Sequence, residues 1–360
     1  MKNIFFTPGP SGLYFTAEQH IKNALNENIP SISHRSKSYV KMHQETTEAL
    51  TELLQLPDNF TIGFTSSATE IWDRMSENLI ANRSLHFVNG DFSKKFHSAV
   101  AAHGKNAESR EVEAGTHHDL SSVVMDEDIE LIGLAQNETS TGAAMPVEDI
   151  NLLRSKYPTP LLAIDAVSSL PVPAFDFNQL DSLYFSVQKS FGLPAGLGVW
   201  TFNDRCLEKA EAMKANNQYH ESYNSLLKIA KMAQKHQTTC TPNVLNIYLL
   251  GKVVQDMNTK GIGQIRQEAA YKSALLYNLF ESHPKLSAFV ADKKFRSQTV
   301  GVANVEGGSE KLIAGLAAKG LHIGNGYGEF KNKQIRIASF PTHSKEQIEM
   351  LVDEINQLDF

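Results

Sequence analysis

Short apolar runs alternate with longer helix-patterned segments along most of this chain, and that alternation limits the fold more than any other feature. TIGF at 61–64, SLHFVN at 84–89, IELIGLAQ at 129–136, LLAID at 161–165 and SLYFSV at 182–187 have strand length and strand composition. GLGVWTF at 196–202 is a candidate partner for the last of them. Helices are predicted from about residue 16, over 39–55, after Ser67, over 92–103 and over 146–157. Thr16 with Gln19, and Ser67 with Glu70, have the spacing of capping boxes. Strands separated by helices in this way predict a mainly parallel sheet covered on both faces. The large domain is expected to run from 16 to 250. Beyond 262 the chain reads as a long helix, SAFVA, QTVGVANV, the helix EKLIAGLAAKG, QIRIASF and a terminal helix from about 344 to 357. These predict a smaller α/β domain of residues 251–360, completed by residues 1–15.

Composition narrows the function classes. The chain has 360 residues with 34 basic and 40 acidic side chains, a net charge of -6, and no long basic run to track a polyanion. A nucleic-acid partner is therefore not expected. Cys206 and Cys240 are too few for a disulfide framework and lack paired metal-ligand spacing, so no metal is expected and a reducing compartment is. No signal-peptide core and no run of about 18 apolar residues occurs, which predicts a cytoplasmic protein without membrane contact.

Parallel sheets collect ligand chemistry outside the carboxyl ends of their strands. Asp165 closes LLAID there, and SLYFSV runs directly into Gln188 and Lys189 ahead of the glycine-rich FGLPAGLG. Alone, Asp165 reads as a turn residue and Lys189 as a solvated rim residue. Together with the TSSATE loop they supply what a pyridoxal phosphate site needs: an imine-forming amine, an acid for the pyridine nitrogen, and phosphate donors. Lys189 would hold the cofactor aldehyde and later move a proton between carbons; Asp165 would keep the ring nitrogen protonated. Ser66, Ser67, Ala68 and Thr69 precede a helix, whose free N–H groups and positive dipole end favour a phosphate, although plain helix capping accounts for them equally.

On these residues, and on TPGPSGL at 7–13, ISHRSKSY at 32–39, QNETSTG at 136–142, VQKSFGLPAGLG at 187–198, TPN at 241–243, FRSQTVG at 295–301 and IRIASF at 335–340, the chain resembles the class V aminotransferases. Within them it is most similar to those acting on phosphoserine. The resemblance implies the type I pyridoxal-phosphate fold, with a mainly parallel seven-stranded sheet sandwiched by helices and a smaller C-terminal domain. It implies Lys189 and Asp165 as catalytic residues, and Gln188, Thr139 and a ring-stacking Phe92, in place of the family's usual tryptophan, as cofactor contacts. Thr241 would reach the cofactor phosphate of a facing subunit, implying a homodimer with shared sites. Arg336 matches the clamp on the substrate α-carboxylate, and His34 and Arg35 match residues that contact the substrate's distal anion.

One motif departs from the family. A Gly-His-Arg shortly before the carboxylate-binding arginine is absent, and GNGYGEFKNKQIR stands there instead. Arg296, His322, Lys331 and Lys333 are the candidate replacements. The resemblance implies transamination of 3-phosphoserine with 2-oxoglutarate in serine biosynthesis, with a relative using alanine, serine or glyoxylate as the alternative. A dinucleotide-binding oxidoreductase would need an early Gly-x-Gly-x-x-Gly turn, which the chain lacks. A cysteine desulfurase would need a cysteine in a mobile loop, and a non-enzymatic binding protein would not need Lys189 and Asp165 together.

Overall fold

The computed structural model describes residues 3–360. Seven strands form the large sheet in the order Phe60–Thr65, Gly198–Asn203, Ser182–Ser186, Leu161–Asp165, Leu131–Ala135, Arg83–Val88 and Asn106–Glu111. Gly198–Asn203 runs antiparallel to both neighbours, and the other pairings are parallel. The seven-stranded, mainly parallel, helix-covered sheet is thus the one expected, and GLGVWTF does pair with SLYFSV.

Continuous apolar strands form because both sheet faces are covered. Leu162 and Ile164 face one core with Met42 and Leu50 of helix Lys37–Leu54 and Leu250 of helix Val244–Lys260. Leu161 and Ala163, one residue out of phase, face a second core with Ile71 of helix Ala68–Asn78 and Phe96 of helix Asp91–Ala102. Each fully buried Leu or Ile contributes about 1.5–3 kcal/mol, so a one-residue slip of this strand would be penalised on both faces. The strand Asn106–Glu111 has no apolar run and was not expected. It lies at the sheet edge, where Glu108, with Asp126 and Asp128, pairs with Arg83, and such charge discourages edge-to-edge association.

Of the two expected capping boxes, the one at Thr16 does not form and the one at Ser67 forms only its first half. Thr16 has helical backbone angles, φ -89 and ψ -12, and its hydroxyl donates to Asp256 at 2.6 Å, while Gln19 donates to Asn23. The tie to helix Val244–Lys260 replaces the local cap. Ser67 does cap its helix, accepting from the Glu70 amide at 3.2 Å. The Glu70 carboxylate reaches one residue further back than a box requires, accepting from the amide and hydroxyl of Ser66 at 2.8 and 2.7 Å.

The smaller sheet has the order Ile4–Phe6, Leu321–Asn325, Gln334–Ala338, Val300–Val305, Leu286–Ala288. Its separate core contains Leu276 and Phe280 of helix Ile262–Ser282, Leu312 of helix Glu310–Ala318 and Leu351 of helix Lys345–Gln357. Ile4–Phe6 pairs parallel with Leu321–Asn325. The chain then crosses to the large sheet, where the Ser11 amide donates to Gln188 O at 3.0 Å and the Tyr14 amide to Gly192 O at 2.8 Å. This crossing carries Pro8, Gly9 and Pro10 over the strand ends. Among the described residues no helix is long and apolar enough to cross a membrane.

Candidate active site

A cavity of about 220 Å³ opens between the carboxyl ends of the central strands, the N-terminal crossing and the smaller sheet. Lys189, Asp165, Thr139, Phe92, Gln188, Ala68, Thr69 and Arg336 all line it. The sequence-predicted residues that do not are Ser66, Ser67, His34, Arg35 and Thr241.

Lys189 follows the strand Ser182–Ser186 and is 6% exposed. Its ammonium donates to the Thr139 hydroxyl at 3.0 Å and lies 5.1 Å from the centre of the Phe92 ring. Burial lowers its pKa to about 8, opposed by the Asp165 and Glu138 carboxylates and reinforced by Arg336. On this value about a tenth of the amine is neutral at pH 7, against well under a thousandth for a free lysine. Gly9 is needed for the space: a Cβ there would stand 2.8 Å from Lys189 Cε, at a φ of +134.

Asp165 ends the neighbouring strand opposite Tyr184 and Ala135. It accepts from the Val167 amide at 2.9 Å. Burial raises its pKa to about 6, against the pull of that amide and of Lys189. Tyr184, held by Trp72 Nε1 at 2.6 Å, is a further, weaker lowering influence on the carboxyl.

Phe92 opens helix Asp91–Ala102, whose N-cap, Gly90, offers no side-chain oxygen. Glu138 takes that place from across the cleft. It is fully buried and accepts from the amides of Phe92 and Ser93 at 3.1 and 2.9 Å, and from the Ser93 hydroxyl at 2.9 Å. It also accepts from the amide and hydroxyl of Ser140 at 3.1 and 2.6 Å. The motif QNETSTG does not by itself assign Glu138 a role. The available signal was a carboxylate flanked by uncharged polar residues directly after the apolar run IELIGLA.

Arg336 lies on the strand Gln334–Ala338. Its Nε donates to Asn325 O at 2.8 Å and one terminal nitrogen to Thr139 O at 3.3 Å, while its guanidinium stacks on Tyr327, 5.1 Å from the ring centre. Arg336 thus faces the same cavity as Lys189 rather than solvent. Ala68 and Thr69 start helix Ala68–Asn78; the Ala68 amide donates to Ser186 Oγ at 3.1 Å, and the Thr69 amide has no acceptor among the described residues.

His34, Arg35 and Thr241 lie outside the cavity. Arg35 donates to Gln237 Oε1 at 2.7 Å and to Thr238 O at 3.0 Å; Thr241, three residues on from Thr238, is exposed. Of the four candidate replacements for the missing His-Arg, none lines the cavity. Arg296 is committed to Glu281 at 2.6 Å and to Val290 O, and stacks on Tyr277. His322 stacks on Phe5. Cys206 is buried, its Sγ donating to Asp181 O at 3.4 Å, and neither cysteine lines the cavity.

An amine of lowered pKa, a buried carboxylate, an aromatic ring and a helix N-terminus around one cavity fit pyridoxal phosphate, with a cradle at Gly9 that any side chain would fill. Among the described residues no cluster of His, Cys, Asp and Glu is placed to hold a metal ion.

Comparison with known proteins agrees. The model of the family described as aminotransferase class-V matches residues 14–329. A phosphoserine aminotransferase of Rhodococcus opacus is 31% identical over 343 residues, covering 92% of this chain and 89% of that protein. One from Corynebacterium glutamicum is 31% identical over 91% of this chain and 87% of its own. Among solved structures, a phosphoserine aminotransferase from Cytophaga hutchinsonii superposes with a TM-score of 0.97 at 44% identity, covering 99% and 98% of the two chains. An aspartate aminotransferase from Thermus thermophilus shares the fold, with a TM-score of 0.86 at 22% identity over 99% and 98%. The chain therefore belongs to the class V aminotransferases, enzymes that move amino groups with pyridoxal 5'-phosphate.

Proposed function

We propose that this enzyme transfers the amino group of 3-phosphoserine to 2-oxoglutarate, or the reverse, within serine biosynthesis. What carries the reading is the single cavity that holds Lys189, Asp165 and Arg336, in a chain 44% identical to a phosphoserine aminotransferase. When bound, the cofactor supplies an aldehyde that takes up the amino group and a pyridinium ring that accepts the electron pair left at the α-carbon. Lys189 Nζ holds the aldehyde between turnovers and, once displaced, moves the proton to and from the α-carbon; its lowered pKa keeps a neutral fraction ready. Asp165 holds the proton of the ring nitrogen. Phe92 would lie against the ring, Thr139 and Gln188 would contact its edge and phosphate, and Ala68 and Thr69 would offer the phosphate a helix N-terminus, in a turn that Ser66 and Ser67 brace through Glu70. Arg336 grips the substrate α-carboxylate with a planar two-donor fork.

His34, Arg35 and Thr241 serve the cavity of a second copy in a homodimer, His34 and Arg35 at the substrate's distal anion and Thr241 at the cofactor phosphate. That none of the three lines the cavity holding Lys189 of the same subunit supports this. The protein is cytoplasmic, with a large domain of residues 16–250 and a small one of 251–360 with 1–15. Two separate cores support two domains, while helix Val244–Lys260 runs through the 250/251 boundary and packs Val253, Val254 and Met257 into the large core. The missing His-Arg favours a second reading, a relative using alanine, serine or glyoxylate.

Absorbance of cofactor-supplied protein tests the chemistry. The wild type should show the band that pyridoxal phosphate gains on joining a lysine amine, lost in Lys189→Ala and bleached by a good amino donor. No band in the wild type defeats the cofactor site. A strong preference for alanine over both glutamate and phosphoserine defeats the substrate. Mixing Lys189→Ala with Arg35→Ala subunits should restore activity that neither variant has alone, and failure to do so refutes the shared site.

A further inference from the structure

We propose that Lys95 is a specificity-determining residue, the cation within each subunit that holds the distal oxyanion of the substrate. This rests on the reading of the cavity as the transamination site with Arg336 at the α-carboxylate.

Lys95 projects from helix Asp91–Ala102 one turn after Phe92. Its ammonium donates to the Tyr327 hydroxyl at 2.7 Å and lies 5.0 Å from the ring centres of both Phe92 and Tyr327. Both rings line the cavity, and they stand 5.5 Å apart. Two rings and a phenolic oxygen thus hold an otherwise flexible side chain behind the cavity wall: Lys95 does not itself line the cavity, but both of its aromatic partners do. Phe92 also has Lys189 5.1 Å from its centre, and Tyr327 has the Arg336 guanidinium at 5.1 Å. Lys95 and Lys189 are therefore no farther apart than two ring contacts laid end to end. A distal phosphate or carboxylate lies about 4–5 Å from the α-carbon of a four- or five-atom amino acid, a length shorter than that span.

The electrostatics leave Lys95 available. It is exposed, its hydrogen bond goes to the neutral Tyr327 hydroxyl, and it makes no ion pair among the described residues, so its charge is not neutralised within the fold. Asp91, on the same helix, is the acid that senses it, and Asp91 is shared with Lys94 and Arg336. Arg296, by contrast, is spent on Glu281. Tyr327 belongs to the segment GNGYGEFKNKQIR, so the stretch that lacks His-Arg instead supplies the hydroxyl that steers Lys95.

The test compares ligands that differ only in the distal group. With holoenzyme half-reactions, the ratio of kcat/KM for phosphoserine or glutamate over that for alanine should fall roughly 10- to 100-fold in Lys95→Met, the loss of one charge-assisted contact, and recover in part in Lys95→Arg. Tyr327→Phe should lower the same ratio less. Calorimetric binding of unreactive acids gives a readout free of turnover: the wild type should bind glutarate and 3-phosphonopropionate more tightly than butyrate, and Lys95→Met should erase most of that difference. A larger effect on phosphonopropionate assigns Lys95 to phosphate, and a larger effect on glutarate assigns it to carboxylate. Equal losses for alanine and butyrate, or an unchanged ratio, overturn the proposal. A wild type that turns over none of the amines instead overturns the transaminase reading beneath it.

Discussion

Replacing Glu138 by glutamine should destabilise the protein by about 2–4 kcal/mol, although the change is nearly isosteric. One carboxylate oxygen accepts from the Ser140 amide and hydroxyl, the other from the amides of Phe92 and Ser93 and the Ser93 hydroxyl. Glutamine turns one of these oxygens into an NH2. The serine hydroxyls can rotate and accept from it, but backbone amides cannot. The least costly choice puts the NH2 toward Ser140 and strands one buried amide, at about 1–3 kcal/mol. Loss of the charge at the N-terminus of helix Asp91–Ala102 adds about 0.5–2 kcal/mol. Glu138→Ala strands three amides and leaves a cavity, so it should cost more. Urea unfolding measures the loss, and amide hydrogen exchange over residues 91–94 locates it. The Glu138 charge also raises the Lys189 pKa, so in Glu138→Gln that amine should lose its proton at lower pH, read from the pH dependence of its acylation in cofactor-free protein. A cost under about 1 kcal/mol with unchanged exchange at 91–94 would refute the view that this carboxylate caps the helix.

Three further outcomes follow from the same geometry. Asp165 has its pKa raised from 3.8 to about 6, so its burial costs little below the unfolded value and about 3 kcal/mol once pH exceeds the folded one; cofactor-free Asp165→Asn should be more stable than wild type near pH 9 in urea, where Lys189 is largely neutral, and should lose most of that margin by about pH 4. A margin that grew toward acid would show that desolvation is not the main cause of the shift. Arg336→Ala should raise the KM of both amino and keto acids by roughly 10- to 100-fold, and Arg336→Lys should recover only part, since it keeps the charge but not the fork; unchanged KM for both would remove Arg336 from the α-carboxylate. Gly90→Ala brings a Cβ to 2.4 Å from Glu138 Cγ and 2.6 Å from Ser140 Oγ, so equilibrium dialysis should show weaker binding of pyridoxal phosphate as Phe92 is displaced.

Much of the fold was legible because burial on two faces writes itself as uninterrupted apolar runs. LLAID and SLYFSV could be placed, and with them Asp165 and Lys189 at the strand ends. Asn106–Glu111 could not, since an edge strand is held by backbone pairing and needs no apolar run. The Thr16 box failed because a hydroxyl chooses between a local amide and a distant carboxylate, and only tertiary structure brings Asp256 near. Glu138 was invisible for the same reason: its role lies in reaching amides 45 and 46 residues away in sequence. The positions of His34, Arg35 and Thr241 were legible only as family likeness, because the partner surface they would serve is not encoded in any local pattern.

The balance of charge around the cavity explains why a chain of net charge -6 can hold two anionic ligands at once. Three cations, Lys189, Arg336 and Lys95, and three acids, Asp165, Glu138 and Asp91, are linked through the same few residues. The acids do not cancel the cations for an incoming ligand, because two of them are occupied: Glu138 by the amides and dipole of a helix N-terminus, Asp165 by Val167 and Tyr184. What remains accessible at the cavity is positive. The buried acids act through the cations instead, holding up the Lys189 pKa that burial alone would push lower, so that the amine stays between a permanently charged and a permanently neutral state. An uncharged residue at Glu138 would thus disturb the helix that carries Phe92 and Lys95 and, through the field, the amine beneath Phe92. A variant that restored the helix cap by another route should recover stability without recovering the Lys189 pKa, which separates the two roles of this one carboxylate.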